Sequence, residues 1–149
     1  MKFYDLIDNT NKDIDLYVDM DGVLAEYDIG NFSYDTIRPL KSNIKRIFEL
    51  QKRSNVNIYI LSVCKTNNIV LEKIEWIKKH MAFFHKDNCI FLSKEENEGI
   101  TSKELKSNYL KNNSDKNKLN IVVDDDIEII KYIKNNNDVN VFHVSSWID

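Results

Sequence analysis

Asp19 and Asp21 flank Met20 and precede Gly22, directly after the β-rich run Ile14 to Val18. Alternate residues of a strand share a face, and a glycine lets the chain turn sharply beyond the pair. Asp19 can then point at a bound ligand while Asp21 reaches round it. A second acidic run, Asp124, Asp125 and Asp126, follows the apolar stretch Leu119 to Val123. Aspartates often cap helices or decorate turns, and one such cluster alone would signify little. Two clusters, each ending a β-rich run, point to chemistry. Carboxylates brought together at strand ends repel without a counter-ion. A hard divalent cation with oxygen ligands is the remedy, and Mg2+ suits a site that shares its cation with a phosphate. Ser62 ends the run Val56 to Leu61, where its hydroxyl can reach a phosphoryl oxygen. Lys106 precedes the second acidic run and can neutralise charge there, with Lys103 a rival one turn earlier.

The elements that must position these groups are legible from periodicity, since three glycines and one proline leave few hard breaks. Strands are expected at 14–18, 56–61, 89–92, 119–123 and 139–144. Helices are expected at 41–50, behind Pro39, and at 69–81, 103–110 and 127–133. The opening residues, with Phe3, Tyr4, Leu6 and Ile7, read as a packed lead-in. Strands alternating with helices imply parallel β-α-β units, whose reactive groups gather beyond the carboxyl ends of the strands.

The chain has 149 residues, 42% hydrophobic and 30% charged, with a net charge of −3, which fits one domain over 1–149 and gives no bulk basic footprint for nucleic acid. Its apolar runs are strand-sized, so no membrane span or secretion leader is expected. Cys64 and Cys89 lack metal-type spacing and read as free thiols of a reducing cytoplasm. His80, His85 and His143 form no metal spacing with the acids and read as structural.

"DMDGVLAEY" resembles the first motif of the haloacid dehalogenase (HAD) superfamily, and more narrowly that of its 5'-nucleotidase and 5'(3')-deoxyribonucleotidase branch. "ILS", "KSNYL" and "VVDDD" resemble the second, third and fourth motifs, in order, and "EKIEWIKKH" resembles the helix after the second. The resemblance runs from Ile14 to the C-terminus. It implies a Rossmannoid three-layer α/β sandwich, a five-stranded parallel sheet with helices on both faces. It implies a Mg2+-dependent phosphatase in which Asp19 is the nucleophile and Asp21 the acid and base. Asp19, the Asp21 carbonyl and one or both of Asp124 and Asp125 would hold the metal, while Ser62 and Lys106 steady the phosphoryl group beside Met20. The substrate implied is a small phosphomonoester, a nucleotide first, with nucleic acid entering only as a phosphorylated end and a phosphoprotein as another larger alternative. Oligomers are compatible with it.

The chain departs from that branch in the stretch from Glu26 to Arg38, which is too brief for a helical cap. A minimal or absent cap implies an open site, with room for a larger substrate or for a cap lent by another subunit. Tyr27, Phe32, Tyr34 and Arg38 are candidates for a stacking and phosphate-gripping flap, or for simple packing of that loop. A phosphoacceptor signalling domain uses similar groups but places its acidic pair before the phosphorylated aspartate, the reverse of the order here. A catalytically silent module of the same fold would be expected to lack some of the residue types that are all present.

Overall fold

The computed structural model describes residues 2–30 and 33–148. Phe32, one of the flap candidates, lies outside them. The elements are α1 (Phe3–Asp8), β1 (Ile14–Val18), α2 (Lys41–Leu50), β2 (Val56–Cys64), α3 (Asn67–His80), β3 (Cys89–Ser93), α4 (Ser102–Asn113), β4 (Leu119–Asp124), α5 (Ile127–Asn136) and β5 (Asn140–His143). Short 3-10 turns occupy Lys86–Asn88 and Val144–Trp147. The strands form one parallel sheet in the order β3-β2-β1-β4-β5. It is the α/β, Rossmann-like sandwich expected, with helices on both faces.

The two faces separate by side-chain parity. Ile14, Leu16 and Val18 of β1, Ile58 and Ile60 of β2, and Ile121 and Val123 of β4 pack with Ile44, Ile47 and Leu50 of α2, Trp76 and Ile77 of α3, and Phe3 and Ile7 of α1. Tyr17, Leu61 and Val122 point the other way, onto Leu110 of α4 and Ile133 of α5. Along each strand alternate residues thus meet different helices, and the rule continues past the last apolar residue into the polar strand ends.

Several boundaries moved, each for a local reason. The lead-in is a short helix, α1, that seals one face with Phe3 fully buried. Helix α3 starts two residues early because Thr66 caps it, its side chain accepting from the Ile69 N–H. Strand β2 runs three residues further, to Cys64, because its end pairs with β3. Strand β5 stops at His143, where the chain turns into the 3-10 segment that buries Trp147. No helix among the described residues is long and apolar enough to cross a membrane.

Helix α4 begins with a reciprocal capping box between Thr101 and Glu104. This helix carries Lys106, so its start matters to the site. Thr101→Ala should destabilise the fold by about 1 kcal/mol and lower Tm by roughly 2–4 °C, readable by thermal melting. An unchanged Tm would show that α4 is set by packing alone.

Candidate active site

Parity places the chemistry. In register β1 lies beside β4, with Val18 opposite Val123, and the Asp19 N–H donates to the Val123 carbonyl at 3.0 Å. Asp19 and Asp124 follow Tyr17 and Val122 on the face covered by α4. Lys106 of α4, 2% exposed, meets both there: its Nζ lies 3.0 Å from Asp19 Oδ1 and 2.6 Å from Asp124 Oδ2. Lys103 instead sits over the Tyr132 ring, its Nζ 5.5 Å from the centroid. The choice left open between the two lysines thus falls to Lys106.

Ser62 follows Ile58 and Ile60, on the opposite face. It meets a residue the sequence reading passed over. Lys73 of α3, 1% exposed, donates from Nζ to Ser62 Oγ at 2.8 Å, to Asp21 Oδ2 at 2.9 Å and to the Val63 carbonyl at 3.3 Å. The signal was present in "IVLEKIEWI": Lys73 falls four residues after Ile69 and four before Ile77, in line with the buried stripe. The tyrosine of the flap joins it, since the Tyr34 hydroxyl donates to Asp21 Oδ1. Burial first, and Asp21 second, push the Tyr34 phenol well above its ordinary range, so it keeps the proton it donates.

The turn between Asp19 and the flap is tightly tied. The Met20 carbonyl accepts from the N–H groups of Val23, Leu24 and Ala25, and the Gly22 N–H donates to the Ala25 carbonyl at 2.8 Å. Gly22 has φ +78°, and a Cβ there would stand 1.9 Å from Asp125 Oδ2. The glycine therefore supplies both the turn and the space into which the Asp125 carboxylate fits. His143 steadies the same aspartate: its Nδ1 accepts from the Ser145 N–H, so in the neutral ring Nε2 carries the proton and donates to the Asp125 carbonyl at 3.1 Å.

Asp19, Asp124 and Asp125 each offer one oxygen, and the three lie within 4.8 Å of one another. A cluster of hard oxygen donors on this scale fits a divalent cation, since octahedral Mg2+ holds its ligands about 3–4 Å apart. The Asp21 side chain is absent from the cluster because Tyr34 and Lys73 hold it. Asp126 is also apart, its carboxylate capping α5 through the N–H groups of Glu128 and Ile129. Burial, against the pull of Lys106, raises Asp19 to about 7, with Asp124 and Asp21 adding to the rise. Asp125 is raised as well, by burial and then by Asp124. For Lys106, burial works against the charge, but Asp19 and Asp124 outweigh it and hold the ammonium above its usual range.

Asp19, Asp21, Lys106 and Asp125 line a cleft of about 400 Å³ with Tyr27, Val63 and Ser102 among its walls. A second hollow of about 410 Å³, between the flap and the start of α3, shares Asp21, Tyr27 and Val63 with it. Asp21 therefore stands at the partition. Three sequence candidates lie elsewhere than expected. Ser62 is fully buried and acts on Lys73 rather than facing the cleft. The Met20 side chain is in the core, leaving only its backbone at the site. Arg38 is exposed, and its carbonyl closes the foot of the flap by accepting from the Glu26 N–H at 2.9 Å.

No protein-family model matches the sequence, and a search of curated proteins finds no match. Among solved structures, a chain in the structure of the Pnkp1/Rnl/Hen1 complex is similar, with a TM-score of 0.70 and 14% identity. The match covers 91% of this chain and 47% of that one, so this chain spans about half its length. At that identity the likeness is one of fold.

In the metal-free protein Asp19 holds a proton up to pH of about 7, against an ordinary value of 3.8. Its contribution to stability is present at low pH and is lost as pH rises between those values. A cation must displace that proton, so its affinity should climb with pH by up to about tenfold per unit and level off above 7. Melting curves with and without Mg2+ at a series of pH values test this. A cation-induced rise in Tm that is flat from acid to neutral pH would show that Asp19 is not a ligand.

Proposed function

We propose that the chain is a Mg2+-dependent phosphomonoesterase of the HAD type, working through an aspartyl phosphate on Asp19. The observation that carries this reading is the separation of two aspartates two residues apart into different environments. Asp19 sits with Lys106 and the acidic cluster, while Asp21 is held across the partition by Lys73 and Tyr34. On this reading one carboxylate attacks and the other moves protons, and their different environments support the division.

Asp19, Asp124 and Asp125 would hold the cation, which supplies charge neutralisation at the phosphoryl oxygens and keeps Asp19 ionised. An Asp19 carboxylate oxygen attacks phosphorus as the bond to the leaving oxygen breaks, and Asp21 gives that oxygen a proton. In the second step Asp21 takes a proton from water, the water oxygen bonds to phosphorus, and the bond to Asp19 breaks. Lys106 holds Asp19 in line and adds positive charge where the transition state gathers negative charge. Lys73 and Tyr34 fix the Asp21 torsion, and Ser62 fixes Lys73. The hollow beyond Asp21 would take the leaving group, and Tyr27, 68% exposed, stands at its entrance. A nucleotide is the small monoester that the sequence resemblance puts first.

Asp19→Asn should abolish phosphoenzyme formation, by about 10⁴-fold or more, while the protein still melts cooperatively. Phosphate release by folded Asp19→Asn at the wild-type rate would sink the mechanism. The role of Asp21 is tested by the leaving group. In single turnover, Asp21→Asn should slow phosphoryl transfer from a nucleoside monophosphate by about 10²–10⁴-fold, and far less from nitrophenyl phosphate, whose phenolate leaves unaided. Equal losses on both would assign Asp21 to positioning alone.

A further inference from the structure

The chain's net charge is −3, yet residues 41–53 carry Lys41, Lys45, Arg46, Lys52 and Arg53 against one carboxylate, Glu49. Three of these cations are engaged within the protein: Arg53 with Asp8 at 2.6 Å, Lys52 with Glu49 at 3.4 Å, and Arg46 with the Tyr4 hydroxyl at 2.7 Å. Lys41 and Lys45 make no ion pair among the described residues, nor does Lys79 facing them from α3. These three lysines, with His80, Phe48 and Phe83, line a groove of about 370 Å³ between α2 and the C-terminal part of α3. No carboxylate is among its lining residues. The concentration of positive charge is felt within it, for burial first, and then Lys79 and Lys41, depress the His80 pKa.

Two aromatic rings lie among these charges. Phe48 is 36% exposed, and its ring meets Phe83 edge-on at 5.1 Å. Cations that track a backbone, interleaved with rings on which planar groups stack, are what a single-stranded nucleic acid requires. An acidic peptide would use the lysines and leave the rings idle.

The groove adjoins the foot of the flap. Pro39 lies in its wall and pairs with Ala25, in the turn that follows Asp21. Lys79 stands six residues beyond Lys73 on the same helix, about 9 Å along its axis, roughly two to three stacked nucleotides at about 3.4 Å each.

We propose that the α2–α3 groove binds a single-stranded nucleic acid and presents its terminal phosphate to the catalytic cleft. The presentation rests on the phosphomonoesterase reading; the binding does not. Fluorescence anisotropy with labelled DNA and RNA strands of about 12 nucleotides, lacking a terminal phosphate, tests the groove without turnover. Between about 50 and 200 mM salt, three lysine contacts should give a slope of log K against log salt near −2, at about 0.7 per contact. Lys45→Gln combined with Lys79→Gln, both on the surface, should flatten that slope by about 1.4, and Phe48→Ala should weaken binding by about fivefold or more. DNA bound as tightly as RNA would mean that backbone and bases suffice, whereas a preference for RNA would add 2′-hydroxyl contacts to the same groove. No strand binding at low salt, binding undiminished in the double lysine variant, or equal binding of polyglutamate would overturn the proposal. Strand binding without phosphate release from any monoester would keep the groove and sink the phosphatase reading. Release from nitrophenyl phosphate without strand binding would do the reverse.

Discussion

A single buried ammonium, that of Lys106, stands between two buried carboxylates, and the acidic end of the sheet depends on it. Asp19 and Asp124 come from adjacent strands whose register gives them no freedom to part. Taking such charges out of water is costly, and removing one partner of a buried ionic group typically costs about 3–5 kcal/mol. Lys106 neutralises only part of the cluster. With Asp125 counted, three carboxylates face one ammonium, a formal imbalance of two negative charges. The protein alone offsets this by protonation, and Asp19, raised to about 7, is where that is most evident. A divalent cation matches the imbalance in charge and leaves Asp19 ionised. On the proposed reading, metal binding and the ionisation of Asp19 would then have one electrostatic origin.

The second lysine shows why the sheet must separate its two faces. Lys73 reaches the strand ends from α3 and Lys106 from α4, one from each helical layer. Two residues of chain, with a glycine at positive φ just beyond, carry Asp21 from the territory of one lysine into that of the other. Had both aspartates stayed on one face, they would have competed for Lys106 and for the cation. Their separation across the layers gives two identical side chains different environments, and the buried strands beneath keep the lysines apart.

Much of this was legible in the sequence because period-2 and period-3.6 patterns are strong where faces are buried. The strand centres, the four longer helices and the meeting of two acidic runs at the strand ends follow from such patterns, whereas the choice of Asp124 and Asp125 over Asp126 beside Asp19 was implied only by the family resemblance. What escaped was information carried by a residue against its type. Lys73 occupies an apolar position between Ile69 and Ile77, and a lysine in a helix is ordinarily a solvated one, so its residue type gave no sign that it is buried. Ser62 was legible as a strand-end hydroxyl, but its partner was not, because the helix that supplies Lys73 lies a loop away. Met20 and Arg38 were misplaced for the opposite reason. Each adjoins the site in sequence, but Met20 turns into the core, and Arg38 spends its carbonyl on the flap while its side chain stays exposed.

The flap is a short loop that walls the hollow beside Asp21. Its feet are joined by the Glu26 N–H to Arg38 carbonyl bond and the Leu40 N–H to Leu24 carbonyl bond, so its base is tied to the turn that follows Asp21. Between them Tyr34 is pinned to Asp21, whereas Tyr27 and Ile29 remain 68% and 77% exposed. A loop anchored in this way cannot close like a domain. It can wall one side of a substrate and leave the other side open. Bulk would then be excluded on the side of the flap, and a long substrate would have to leave the cleft on its open side. Specificity for such a substrate would come less from enclosure than from what lies along that exit.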